Sequence, residues 1–413
     1  MEEERVLQNE ASAGLLPSRR RRREVTLQCS SDHPRGNQET ALARDDVDLT
    51  TPPDALTPDE AQAQAEALRQ ELQEHNRLYY VEARPEISDD EYDRLFHRLV
   101  LLEDAFPELA TPDSPTQRVG AEPREDLPTV PHTAPMLSLD STKDPEEVKR
   151  FDDRVRKAVG ESEVAYLLEP KLDGASVELV YEDGILTRAV TRGNGVEGEG
   201  VTENIRTIPT VPLRLRTEVR GAPSLVAVRG EVLMYLSAFR RLNQTLLEEG
   251  ADPFANPRNA AAGALRQLDS RVTARRPLDF LAFDLLTHDG PAFQEDRQVV
   301  QALMEWGFKV PGRVELVEDL QGILEYHESF FRDRDELDYE IDGVVIKLNA
   351  LTARSGMGVT SRHPRWALAF KFEPRKEVTR IQSIAVSVGR TGVVTPVALL
   401  LPVEVGGVTV SRA

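Results

Sequence analysis

Glu169 and Lys171 stand two residues apart in a segment that reads as a β-strand. Ala165–Glu169 leads there into Lys171-Leu172-Asp173-Gly174, so alternation places a carboxylate and an amine on one face. In Trp366–Phe372, bulky Trp366, Leu368, Phe370 and Phe372 alternate with Ala367, Ala369 and Lys371, which leaves room for a ligand over Lys371. In Ile341–Leu348, Lys347 shares a face with Gly343 and Val345, and Arg229 shares one with Glu231 in VRGEV. The chain holds eight lysines against 43 arginines, and three of the eight lie in these strands. Three lysines on separate strands, together with Arg192 and Arg229, point to a concave sheet that holds phosphate groups. A lysine withdrawn from water among other cations offers a neutral amine and can act as a nucleophile. Three unrelated edge lysines would give the same spacing.

Other motifs are weaker alone. Thr191-Arg192-Gly193-Asn194-Gly195, followed by Gly198 and Gly200, reads as a tightly turning loop whose amides could meet a phosphate, although it matches neither a Walker loop nor a dinucleotide fingerprint. Phe254–Gly263 (FANPRNAAAG) turns into an Ala-rich helix with Arg258 at its start and Arg266 within it. Asp89-Asp90-Glu91-Tyr92-Asp93 opens a helix, where acids are favoured by the dipole. No Ser-His-Asp triad or HExxH pattern stands out. The single cysteine, Cys29, excludes an intrachain disulfide and a four-cysteine zinc site.

The elements that must position these residues follow from periodicity. Residues 1–56 are polar and irregular, include the run Arg19–Arg23, and are expected to be disordered. Thr57-Pro58-Asp59-Glu60 and Ser88-Asp89-Asp90-Glu91 are capping boxes. They open helices with stripes Ala61, Ala65, Leu68, Leu72, His75 and Leu95, Leu99, Leu102. A Pro-rich connector leads to a third helix capped at Asp144. Strands then dominate: Ser176–Glu182 and Ile185–Arg192 flank the hairpin signal Asp183-Gly184, and Leu225–Met234 and Phe280–Leu286 follow, with helices at Leu236–Glu249 and Val299–Trp306. The fold class is α+β on largely antiparallel sheet, without a doubly wound βα rhythm. Of 413 residues, 71 are acidic and 51 basic, a net charge of −20. Nucleic acid is therefore a partner only if the basic residues gather on one face. No segment is long and apolar enough to span a membrane and the N-terminus has no apolar signal region, so a cytoplasmic chain is expected.

KLDG at 171–174, VRGE at 228–231, IDGVVIK at 341–347 and WALAFKF at 366–372 occur in the order found in covalent nucleotidyltransferases. With PRNAAAGALRQLD and TSRHPRWA, they make Thr57 to Ala413 closely resemble the bacterial NAD-dependent DNA ligases. The resemblance implies a helical nicotinamide-binding module over residues 57–125, an antiparallel-sheet nucleotidyltransferase (adenylation) domain over 126–376, and a truncated OB-fold β-barrel over 377–413. Lys171 would attack the α-phosphorus of NAD and become lysyl-AMP. Glu169, Arg192 and Glu231 would hold the adenosine part, Lys347 and Lys371 would neutralise phosphate charge, and Ser138 and Leu139 would line the pocket. Tyr79, Tyr80, Asp89, Asp90, Glu91, Tyr92 and Asp93 would bind the nicotinamide half, which favours NAD over ATP. Arg258 and Arg266 would be nucleic-acid contacts.

The implied reaction seals nicks between 3′-hydroxyl and 5′-phosphate ends of duplex DNA in replication and repair, by a monomer using NAD and Mg2+ or Mn2+. The family's zinc finger, helix-hairpin-helix and C-terminal domains are not in this sequence, and zinc ligands are absent with them. Self-adenylation with little nick sealing is therefore expected of this fragment. The sequence departs from the family at Asn194 and Gly200, where Asp is usual, and at Tyr80, where His is frequent. The alternatives are an ATP-using RNA ligase or capping-type enzyme, and a nucleotide-binding remnant without catalysis.

Overall fold

The computed structural model describes residues 51–82, 84, 86–118, 126–160, 164–360, 363–373, 377–388, 394–405 and 408–413. Cys29, Arg19–Arg23 and the predicted tail up to residue 50 lie outside the described residues. Ordered backbone starts before Thr57: Pro53–Ala55 form a short 3-10 turn and Leu56 packs on the first core.

Both capping boxes form. Glu60 and Glu91 donate their amides to the Thr57 and Ser88 hydroxyls, and each carboxylate accepts the cap residue's own N–H. The helices Pro58–Tyr80 and Asp89–Ala105 pack through Ala61, Ala65, Leu68 and Leu72 against Leu99, Leu102 and Leu109. This small module docks on the next domain through arginines. Arg118 donates to the carbonyls of Arg206 (3.0 Å), Ile208 (2.9 Å) and Val211 (3.1 Å). Arg206 donates back to the Pro112 carbonyl (2.9 Å), and Arg214 to Asp113 Oδ2 (2.5 Å). Burial pulls the Arg118 guanidinium down to about 10.

Two sheets build the central domain. One runs Ser141–Thr142, Ala367–Lys371, Ile341–Leu348, Tyr166–Leu172, Glu315–Val317, antiparallel except at its first pair. The other runs Ile185–Thr191, Ala175–Glu182, Leu225–Met234, Leu278–His288, all antiparallel. Asp183 and Gly184 both take positive φ (49° and 77°), as the tight hairpin there requires. Alternation sorts the side chains. Leu168, Val344, Ile346, Leu348, Leu368 and Phe370 enter a core with the helices Pro145–Val159 and Leu320–Asp333. Val177, Leu179, Val228 and Val232 enter a second core with Leu236–Glu248, Pro257–Leu265 and Asp296–Glu305. The residues of opposite parity from both sheets line one cleft. Ile381–Val388, Val394–Val405 and Val408–Arg412 form a separate three-stranded antiparallel sheet. Among the described residues, no helix is long and apolar enough to cross a membrane.

Candidate active site

The cleft has a volume of about 980 Å³, and both sheets line it. From one sheet come Glu169, Lys171, Lys347 and Lys371; from the other, Ser176, Arg229 and Glu231. Ser138, Leu139, Arg192, Arg258 and Arg266 complete the wall. Three strands set the lysines: Gly343, on the middle strand, pairs with Lys171 on one side and Lys371 on the other. The ladder toward Lys171 bulges between Ile341 and Gly343, and a bulge re-aims the extra residue. That residue is Asp342, whose carboxylate lies 2.9 Å from Lys171 Nζ and 3.1 Å from Lys371 Nζ. A Cβ at position 343 would fall 2.3 Å from the Phe370 carbonyl oxygen, so only glycine allows the strands this approach.

Lys347 lies deeper. Its Nζ is 3.1 Å from each of Glu169 Oε2, Asp296 Oδ2 and the Phe283 carbonyl oxygen. Of these, the Phe283 carbonyl oxygen accepts a hydrogen bond from the ammonium, and the two carboxylate oxygens pair with it by charge. The charges nearest to it are the protein's own, and its side chain lines the cleft. Burial alone would depress Lys347, yet Asp296 and Glu169 hold it above the usual lysine range. Asp296 also receives Arg354 Nη2 at 2.8 Å, and the Arg354 guanidinium lies 4.0 Å from the centre of the Trp366 ring. Burial would raise Asp296 too, but Lys347 and Arg354 together hold it below the usual range. Glu169 shares Lys347 with Asp296 at the same distance, and burial pushes it up to about 7. Glu231, which accepts the Gly174 N–H at 3.3 Å, is likewise pushed up to about 7 by burial, against the pull of Arg229 and Lys171.

On the rim, Arg192 donates to Ser138 Oγ (2.7 Å) and Arg258 to Asp173 Oδ1 (2.6 Å), the third residue of the Lys171 motif. Arg266 donates to Glu199 (3.1 Å). Buried His132 joins the cleft's edge to the sheet, with Nδ1 2.6 Å from Glu178 and Nε2 3.1 Å from the Arg192 carbonyl oxygen. In the glycine-rich loop the amides of residues 194–197 are taken within the loop, while Gly193 lies in the cleft lining. Asn194 N–H goes to the Glu197 carbonyl, Gly195 N–H to that of Arg192, and both Val196 and Glu197 donate to Asn194 Oδ1.

The helical-module residues are not part of this cleft. Tyr79 and Tyr80 are exposed and pack edge to face, with ring centres 4.7 Å apart, and Asp93 is exposed. Glu91 serves its capping box, and Tyr92 is partly buried, donating to Asn76 Oδ1 at 3.1 Å. Asp89 and Asp90 stand in the helix's first turn, and their side chains lie outside the described residues. Sequence reasoning had assigned no role to Asp342, Asp296, Arg354 or Trp366. Asp342 lay inside a quoted motif, but only the bulge gives it two lysine partners; Asp296 and Arg354 carry no sequence signal.

Among the described residues no group of three or more His, Cys, Asp or Glu side chains could hold a metal ion, and of the cleft's acids Asp342, Glu169 and Asp296 are paired with lysine or arginine. The residues present do not by themselves form a Mg2+ cage.

Known proteins match along the chain. Residues 58–120 match the DNA ligase-like N-terminal NAD+-binding domain, 124–375 the NAD-dependent DNA ligase adenylation domain, and 378–413 the NAD-dependent DNA ligase OB-fold domain. The DNA ligase of Geobacter sulfurreducens is 53% identical over 350 residues, 84% of this chain and 52% of that protein. That of Alkalilimnicola ehrlichii is 52% identical over 87% of this chain and 53% of that protein, and that of Haloferax volcanii 51% over 88% and 51%. The chain spans about half the length of the curated relatives it matches. An adenylation domain filling more than half of the sequence, a matching NAD+-binding domain before it and relatives at this identity give one answer: the chain belongs to the NAD-dependent DNA ligase family.

Proposed function

We propose that this chain carries out the NAD-consuming half of nick sealing, with Lys171 as the nucleophile. The observation that carries the reading is the bulged strand: it sets Lys171 and Lys371 on either side of Gly343, over one cleft large enough for a nucleotide. Lys171 Nζ attacks the α-phosphorus of NAD. The N–P bond forms, the P–O bond to nicotinamide mononucleotide breaks, and the departing phosphate takes the electron pair. The Nζ proton must leave, and Asp342 Oδ1 at 2.9 Å is the acceptor placed for it. Lys371, sharing that carboxylate, supplies positive charge where negative charge develops.

Arg192 and Ser138 would orient the adenosine part from the rim, with Glu169 and Glu231 from the floor. Tyr79, Tyr80 and Asp93 on the helical module would meet the nicotinamide half, a role that requires the module to approach the cleft. The lysyl-AMP would pass its AMP to a 5′-phosphate at a DNA nick, which the neighbouring 3′-hydroxyl then displaces. Arg258 and Arg266 lie on the cleft wall, where a phosphodiester backbone would pass. Mg2+, brought with the substrate's phosphates, would add charge neutralisation.

The test is intact mass after incubation with NAD and Mg2+, against ATP in parallel. One AMP gained from NAD and removed by nicotinamide mononucleotide supports the reading. A gain from ATP alone moves the chain to the ATP-using class, and none from either nucleotide leaves a binding remnant.

A further inference from the structure

Buried beneath the cleft, one lysine faces two acids. Asp296 opens the helix Asp296–Glu305, and its amide donates to the Asn349 carbonyl (2.8 Å), which ties it to the end of the Lys347 strand. Arg354 is fixed independently: Nε donates to the Leu348 carbonyl (2.8 Å) and the guanidinium plane covers Trp366. Asp296 therefore sits between two cations held by separate anchors, while Glu169 has only Lys347. We propose that Asp296 and Arg354 act together as positioning residues, dividing the Lys347 ammonium between two carboxylates and so setting how firmly Glu169 is held for the nucleotide.

The inference rests on the reading of Glu169 as a nucleotide-holding residue. The charged and titratable groups facing Glu169 are Lys347, Asp296, Asp284, Arg229 and Tyr326, from five different elements. Of these, Lys347 touches it directly and Asp296 competes for Lys347. Removing the Asp296 charge leaves Lys347 to Glu169 alone, which stabilises the Glu169 carboxylate. Removing Arg354 leaves Asp296 with Lys347 as its one cation, which draws the ammonium away from Glu169. The two substitutions thus act on Glu169 in opposite directions, whereas damaged packing would act in one.

The experiment is the pH profile of AMP uptake from NAD, followed by intact mass, for the full chain and for Asp296→Asn, Arg354→Met and Asp296→Glu, with far-UV circular dichroism as the check on folding. The limb that reports Glu169 should move down by on the order of one pH unit in Asp296→Asn, the effect of one close charge, and move up in Arg354→Met. Asp296→Glu, which keeps the charge, should leave it in place. Unmoved limbs, or shifts of one sign in both charge-removing variants, overturn the proposal. If Asp296→Asn does not fold, Arg354→Met decides; loss of fold in both overturns positioning in favour of a purely structural role. A wild-type chain that takes up no AMP at any pH instead defeats the functional reading on which the proposal rests.

Discussion

Replacing Glu231 with glutamine keeps its shape and its acceptor for the Gly174 N–H, and removes only the charge. In the folded chain this carboxyl is pushed up to about 7 by burial, from an ordinary value of 4.5. A carboxyl raised on folding favours the native state while it is protonated. That contribution is complete below the unfolded value and is lost as pH climbs through the folded one, so its window runs from about pH 4.5 to 7. A difference of this size corresponds to about 2 to 3 kcal/mol between pH 5 and pH 8. Urea unfolding of wild type and Glu231→Gln at both pH values measures it. The wild type should lose about 2 to 3 kcal/mol more than the variant across that span, and the variant should be the more stable of the two at pH 8. Equal losses in the two proteins would show that Glu231 is ionised in the fold at pH 5, with Arg229 and Lys171 outweighing its burial.

Three further outcomes are expected. Lys171→Arg should gain no AMP from NAD by intact mass, because a guanidinium stays protonated and is no nucleophile. Asp93→Ala should lower the rate of NAD-driven adenylation about tenfold, a loss of roughly 1.4 kcal/mol, while its melting temperature stays near wild type because the side chain is exposed. Gly230→Ala should destabilise the domain by roughly 1–3 kcal/mol or more in urea unfolding. Its Cβ would fall 2.3 Å from Phe280 Cζ and 2.5 Å from the Leu281 carbonyl oxygen.

Where local signals exist, sequence and structure agree closely. The capping boxes at Thr57 and Ser88, the Asp183-Gly184 turn and the strand Leu225–Met234 stand where periodicity and turn chemistry put them. Alternation was enough to bring Glu169, Lys171 and Lys371 to one surface. The helix Leu320–Asp333 and the strand Glu315–Val317 went unread: the strand is three residues long, too short for a period to show. The partners of the lysines were illegible for a different reason. Asp342 reaches two of them only because a bulge turns it, and Asp296 meets Lys347 from a helix about fifty residues away, a pairing no spacing rule encodes. Lys347 was legible as a scarce cation on the cleft face but not as the partner of two buried acids, since Asp296 and the Phe283 carbonyl that accepts from it come from other elements.

The seam between the helical module and the larger domain has a consequence for how this protein can vary. Arg118 reaches three acceptors, all of them main-chain oxygens. A carbonyl is present whatever side chain its residue carries, proline included. Positions 208 and 211 can therefore change identity in related proteins without removing an acceptor, provided the backbone path is kept. On the other side of the seam there is no such latitude. Lysine offers donors from a single point, and no other side chain reaches three separated oxygens from a planar fork. For the Arg118 contacts one half is written in chain geometry and the other in a single side chain, so a sequence comparison should find arginine at 118 and freedom at 208 and 211, whereas Arg206 and the Arg214–Asp113 pair act through their own side chains.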